Sequence, residues 1–222
     1  MATILCYGDS NTWGFVPGKY DETTMYMERY ARDVRWTGRL QQLLGEHYHV
    51  IEEGLNGRTT NLDYPDLLGR NGKSYLVPCL YSHAPLDLVI ILLGGNDLKK
   101  IFQRSASDIA EGLEELIQLT QATLYGADMQ SCPEILIVGY PHLTREDGFS
   151  QYGHRVLFEE GIAKSHAFDS LYRELADRYQ CHYFNAAPHV HLSEIDGIHL
   201  DESGHKALAE CLAIEINTII NK

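Results

Sequence analysis

Strand-like runs recur along the chain at Thr3–Tyr7, His49–Glu53, Leu86–Leu93, Glu134–Tyr140 and His182–Asn185. The third is a near-continuous LDLVIILL, the pattern of a strand buried on both faces rather than on one. Between these runs, apolar residues fall at helical spacing over about Trp36–Gly45, Ser74–Ser82, Ser105–Tyr125 and Phe158–Tyr179, and again over Glu202–Ile220. The last of these starts after Asp201, a good N-cap, and carries Leu208, Cys211, Leu212, Ile216 and Ile219 along one stripe. Strands alternating with helices predict a parallel sheet covered by helices on both sides. No linker, repeat or low-complexity tract interrupts the 222 residues, so a single domain over residues 1–222 is expected.

Two segments do not fit the alternation. Gly14–Arg35 follows the first strand and carries Phe15, Tyr20, Met25, Tyr26, Met27 and Tyr30. Pro141–Arg155 follows the fourth and is rich in His, Gly and charge. Loops of this length in a compact domain are more often functional than accidental. The first is expected to form either a folded-back surface loop at a subunit interface or a wall of a substrate pocket.

Composition narrows the partners. A net charge of −13 argues against nucleic acid and anionic membranes. The five cysteines Cys6, Cys79, Cys132, Cys181 and Cys211 are scattered and form no C-x-x-C pair, which suits reduced thiols better than a disulfide frame or a zinc site. MATILCYGDS has neither the charged start nor the apolar run of a signal peptide, and the longest aliphatic run, Leu88–Leu93, is far short of a membrane span. The cytoplasm is the expected location.

Parallel sheets bind ligands beyond the carboxyl ends of their strands, so the residues just past each strand are the candidates for chemistry. Gly8-Asp9-Ser10-Asn11-Thr12 follows the first strand, Gly54-Leu55-Asn56-Gly57-Arg58 the second, and Gly94-Gly95-Asn96-Asp97 the third. Asp196-Gly197-Ile198-His199 lies beyond the fifth. A serine hydroxyl needs a neighbouring base to act as nucleophile. His199 can serve Ser10 in that way, and Asp196 can hold the other ring nitrogen. The backbone N–H groups of Ser10 and Gly57 and the Asn96 amide are candidate oxyanion donors. Singly, each motif has a plain structural reading: Gly-Asp-Ser and Gly-Gly-Asn-Asp are common turns, and Asp-x-x-His can cap a helix. Their order, each at a predicted strand end or before the last helix, is what favours chemistry.

With these four blocks the chain resembles the SGNH hydrolases, the GDSL lipase/esterase family, along nearly its whole length. The four naming residues fall on Ser10 (in GDSN, where the family usually has GDSL), Gly57, Asn96 (in GGND) and His199 (in DGIH). The resemblance implies a flavodoxin-like αβα sandwich on a parallel five-stranded sheet. It also implies a Ser-His-Asp acyl-enzyme mechanism with no metal and no cofactor. Ser10 is then nucleophile and first oxyanion donor, Gly57 and Asn96 complete the hole, His199 is the base and Asp196 orients it. Asn11 in place of Leu is expected to touch no catalytic atom. GDSNTWGF, DVRWTG, EEGLNGRTT and DGIHL are most similar to the bacterial arylesterase-like subgroup, which implies small ester substrates, acyl transfer as a side activity and a homo-oligomer. Trp13 and Arg58, adjacent to catalytic positions, are expected to line the substrate pocket.

The alternatives on the same residues are a carbohydrate O-deacetylase or an acyl thioesterase. From other classes come a phosphatase using Asp9 as nucleophile and a non-catalytic flavodoxin-like binding module. Gly69–Ser74 mimics a phosphate-binding loop, but position 67 is Leu where the first glycine belongs. No G-x-S-x-G and no G-x-G-x-x-G occurs, which removes the α/β-hydrolase elbow and the usual dinucleotide reading. His199, Asp201 and His205 could be taken for metal ligands, but His205 is expected in the first turn of the last helix.

Overall fold

The computed structural model describes residues 1–21, 23–24, 26–149 and 155–220. All five predicted strands form one parallel sheet: β1 (Ala2–Gly8), β4 (Tyr48–Gly54), β5 (Leu88–Leu92), β6 (Glu134–Gly139) and β9 (His182–Asn185). Their spatial order is β4-β1-β5-β6-β9, the flavodoxin-like order in which the chain first steps to one side of β1 and then crosses to the other. Every residue of β5 is buried, as its unbroken apolar run requires of a strand covered on both faces.

Helices α2 (Trp36–Leu44) and α6 (Glu202–Ile220) pack together in one outer layer. Helices α3 (Gly72–His83), α4 (Ala106–Gln121) and α5 (Gly161–Tyr179) pack in sequence in the other. Local chemistry sets several of their ends. Ser105 and Asp108 close a capping box at the start of α4. The Asp201 carboxylate accepts the Gly204 N–H at 2.9 Å before α6, the expected N-cap. Helix α3 begins two residues before its predicted start because the Asn71 side chain accepts the Ser74 N–H and caps it there. The apolar faces of both layers and the sheet form one continuous core, in which Trp36, Tyr7, Tyr140 and Tyr172 are the largest buried side chains. All five cysteines are unpaired. Among the described residues, no helix is long and apolar enough to cross a membrane.

Both irregular segments contain structure that the hydrophobic pattern does not announce. After a single-turn helix α1 (Ser10–Trp13), the first folds into an antiparallel hairpin of β2 (Phe15–Asp21) and β3 (Tyr26–Arg29). Its register slips between Phe15 and Tyr20, so no clean alternation of apolar and polar residues survives in the sequence. Met25 of this segment lies outside the described residues. The second segment forms a small hairpin of β7 (Asp147–Phe149) and β8 (Arg155–Leu157), and its residues 150–154 likewise lie outside the description.

Strand register is what positions the site. Gly8 pairs with both Gly54 and Leu92, so β1, β4 and β5 end level with one another. The segments that follow them leave the sheet along one rim, beside the point where the strand order reverses.

Candidate active site

Ser10 opens α1 immediately beyond β1. Its Oγ lies 3.0 Å from His199 Nε2, and His199 Nδ1 lies 2.8 Å from Asp196 Oδ2. The three residues are 189 and 3 positions apart in the chain, and the fold closes the longer gap. Asp196 also builds the loop that carries the histidine, because its Oδ1 accepts the N–H groups of Ile198 and His199, each at 3.0 Å. Burial alone would raise the Asp196 carboxyl. The hydrogen bonds and positive charge of His199 outweigh that effect and hold it below its ordinary value, so it stays ionised at neutral pH. Phe15, from the start of β2, packs its ring 4.4 Å from the His199 imidazole.

The donors expected for an oxyanion converge on the same rim. Neither the Ser10 nor the Gly57 backbone N–H has an acceptor among the described residues. Gly57 sits at φ +80°, a left-handed backbone that glycine adopts without strain. Asn96 Nδ2 donates one hydrogen to Asp9 Oδ2 at 3.3 Å, which leaves its second free to serve the cavity. Asp97 ties two of the donors to one another. Its carboxylate accepts Thr60 Oγ1 at 2.6 Å and the Thr60 N–H at 3.0 Å, bracing the turn that carries Asn96 against the segment that follows Gly57. Burial pushes this carboxyl up to about 7, against the lowering effect of the Thr60 bonds.

Asp9 is not a nucleophile. It is fully buried and absent from the cavity wall, with Oδ1 taken by the Asn11 N–H (2.9 Å) and Oδ2 by Asn96 and the Tyr140 hydroxyl (3.1 Å). Its place is beneath the site, orienting the Asn96 amide. Burial raises its carboxyl, and burial with the Asp9 charge pushes the Tyr140 phenol well up, so the phenol keeps the proton it donates.

Ser10, Gly57, Asn96 and His199 line a cavity of about 220 Å³. Phe15, Leu67, Ile101, Tyr140, Val156, Phe158 and Ile198 supply its apolar wall, whereas Asn56, Tyr64, Asp66 and Lys99 supply polar atoms. Trp13 and Arg58 do not line it, contrary to expectation. The Trp13 ring stacks under Arg29, with the guanidinium carbon 5.0 Å from its centroid. Arg58 is buried over the Tyr7 ring, and its guanidinium donates to the carbonyls of Gly8 and Glu53. It ties the ends of β1 and β4 together and has no face left for substrate. Tyr140 lines the cavity instead: β6 ends at Gly139, one residue short of the predicted strand, which places Tyr140 at a strand end like the other candidates. Of the two irregular segments, the first reaches the pocket through Phe15, whereas no described residue of 141–155 lines it and Val156 and Phe158 come from just beyond that segment.

His199, Asp201 and His205 form no metal set. His205 is buried in the first turn of α6, where its Nδ1 accepts the Trp36 N–H at 3.3 Å. Burial pulls its imidazole down to about 3, which keeps it neutral. Among the described residues, the group able to offer metal ligands is Glu53, Cys79 and His83, whose ligand atoms lie within 4.8 Å of one another. None of the three lines the Ser10 cavity.

The model of the GDSL-like lipase/acylhydrolase family matches residues 6–207. Among solved structures, an aryl esterase from M. smegmatis is 38% identical, with 99% of this chain and 100% of that one covered and a TM-score of 0.88. A carbohydrate acetylesterase from Sinorhizobium meliloti is 36% identical over the same shares of both chains, again with a TM-score of 0.88. A lipolytic G-D-S-L protein from Veillonella parvula, 14% identical over 98% of this chain and 99% of that one, shares the fold with a TM-score of 0.67. No protein in the curated set matches.

Proposed function

The chain belongs to the GDSL-like lipase/acylhydrolase family as a carboxylic ester hydrolase of the SGNH type, and from that premise we propose that it cleaves small acyl esters through a covalent intermediate on Ser10. The observation that carries the reading is the continuous hydrogen-bonded chain from Ser10 Oγ through His199 to Asp196, at the wall of a cavity.

Ser10 Oγ attacks the acyl carbon while His199 Nε2 takes its proton, and the imidazolium so formed is stabilised through Nδ1–H by the ionised Asp196. The carbonyl oxygen becomes an oxyanion held by the Ser10 and Gly57 N–H groups and the Asn96 amide. When the tetrahedral intermediate collapses, the carbon–oxygen bond to the alcohol breaks and His199 returns the proton to the departing oxygen. Water then enters, loses a proton to the same nitrogen and attacks the acyl-serine. The second collapse releases the acid and restores the Ser10 hydroxyl. Removing one oxyanion donor typically costs about 10²–10³ in kcat. Asn96→Ala is expected to lose activity on that scale with little change in KM, measured by steady-state kinetics. A loss confined to KM would remove Asn96 from the hole.

The cavity is small beside the roughly 300–1,000 Å³ of pockets that take drug-sized ligands, which supports short acyl chains. Its apolar wall suits an acyl or aryl group, and Asn56, Tyr64, Asp66 and Lys99 suit a hydroxylated leaving group such as a sugar. A panel of p-nitrophenyl acetate, butyrate and octanoate with acetylated sugars tests the assignment. Acetyl and butyryl esters should lead, with octanoate at least about tenfold lower in kcat/KM, because methylenes forced into a pocket too short for them displace its walls at a cost of about 1–3 kcal/mol. Rates that rise with chain length would contradict it.

A further inference from the structure

Asn11 is the point at which the first block departs from the family's usual motif, and its side chain does more than fill the place of a leucine. It is buried, and every one of its polar atoms is used. Nδ2 donates to the Ile198 carbonyl at 3.3 Å and to the Tyr140 hydroxyl at 2.8 Å, and Oδ1 accepts the Leu200 N–H at 2.8 Å. Ile198 and Leu200 flank His199. The amide thus grips the backbone on both sides of the catalytic base, as a neighbouring β-strand would, and it does so from the residue bonded to Ser10. The Tyr140 hydroxyl anchors the same amide to Asp9, which in turn holds Asn96.

Asp196 cannot perform this task. It belongs to the same loop as His199, so it fixes the ring within that loop but not the loop against Ser10. Other contacts join the His199 loop to the rest of the molecule, including Thr144 N–H to Gly197 O at 3.1 Å and the Phe15 ring. Among the described residues, the hydrogen bonds that join it to the helix carrying the nucleophile are those of the Asn11 amide, apart from the reacting Ser10–His199 pair itself. We infer that Asn11 is a positioning residue that sets the distance between Ser10 Oγ and His199 Nε2 by clamping the Ile198–Leu200 backbone to α1. The inference rests on the assignment of Ser10 and His199 as nucleophile and base.

A misplacement of about 1 Å between reacting groups can cost on the order of 100-fold. Asn11→Ala and Asn11→Leu test the clamp, since both remove the amide while Leu keeps the volume. Both are expected to lower kcat 10- to 100-fold, with KM within about threefold of the parent. In either variant the downfield proton resonance of His199 Nδ1–H bound to Asp196 should persist, because that pair lies wholly within its own loop. In a His199→Ala background, adding Asn11→Ala should slow the residual reaction no further. Full activity in Asn11→Leu would show that volume alone matters and overturn the inference. So would a loss carried by KM, or losses that multiply in the double variant. Hydrogen exchange at the Leu200 amide in the unaltered protein needs no variant. It should be strongly protected, and exchange as fast as at exposed loop amides would also overturn the clamp. The assignment on which it rests fails separately, if Ser10→Ala or His199→Ala retains the parent's activity.

Discussion

Ser10→Ala should lose at least about 10⁴ of kcat/KM toward p-nitrophenyl acetate while the protein stays folded, given what removal of a triad nucleophile costs in serine hydrolases. Stability should change little. Among the described residues, the Ser10 hydroxyl has one hydrogen-bond partner, the His199 ring, so its removal leaves none of their buried backbone groups unsatisfied. A net hydrogen bond contributes about 1 kcal/mol, and the melting temperature should fall by no more than a few degrees. The effect on rate is large because the oxyanion donors and the base remain in place with nothing to attack the carbonyl. Residual hydrolysis would then report what the hole and the binding of substrate achieve with water as nucleophile. Steady-state kinetics beside a thermal melt separates this outcome from simple unfolding.

Asp196→Asn should be nearly as damaging, and the geometry says why. Asp196 Oδ1 receives two backbone N–H groups, from Ile198 and His199, while Oδ2 faces His199 Nδ1. An asparagine in this position must keep its one oxygen toward the two N–H donors. Its amide NH₂ therefore points at Nδ1, which has to give up its proton and accept. The imidazole proton moves to Nε2, the nitrogen that should take the proton from Ser10. The loop stays folded while the base carries the wrong tautomer, and a fall of about 10⁴ in kcat is expected with KM little changed. Kinetics together with nitrogen NMR of the His199 ring checks both halves. A variant within tenfold of the parent would show that Asp196 does not set the tautomer.

The parts of the molecule that the sequence discloses are those whose side chains repeat. LDLVIILL could be placed as a central strand because it is buried on both faces, and the Leu208–Ile219 stripe could be placed as a helix facing the core. The four strand-end clusters follow from the same logic once the sheet is parallel. The sequence alone therefore assigns Ser10, Gly57, Asn96 and His199 to one rim. Features set by single long-range contacts were not legible. The β2–β3 hairpin hides behind a slipped register. Arg58 sits beside Gly57 in sequence, but its side chain turns back beneath the sheet edge to the Gly8 carbonyl. Asn11 touches no catalytic atom, as expected from the sequence, yet its bonds to the residues either side of His199 span 187 and 189 positions and depend on how two loops meet. No local pattern encodes that meeting.

The central claim is that an acyl group passes through Ser10. Mass spectrometry after reaction with a p-nitrophenyl phosphonate ester tests it most directly, because the phosphorus centre is attacked as an acyl carbon would be but the adduct does not turn over. The account predicts one adduct per chain on the peptide containing Ser10, formed in step with loss of esterase activity and absent from Ser10→Ala. Full inactivation with the label on another residue, or labelling of Ser10 that leaves activity intact, would contradict it.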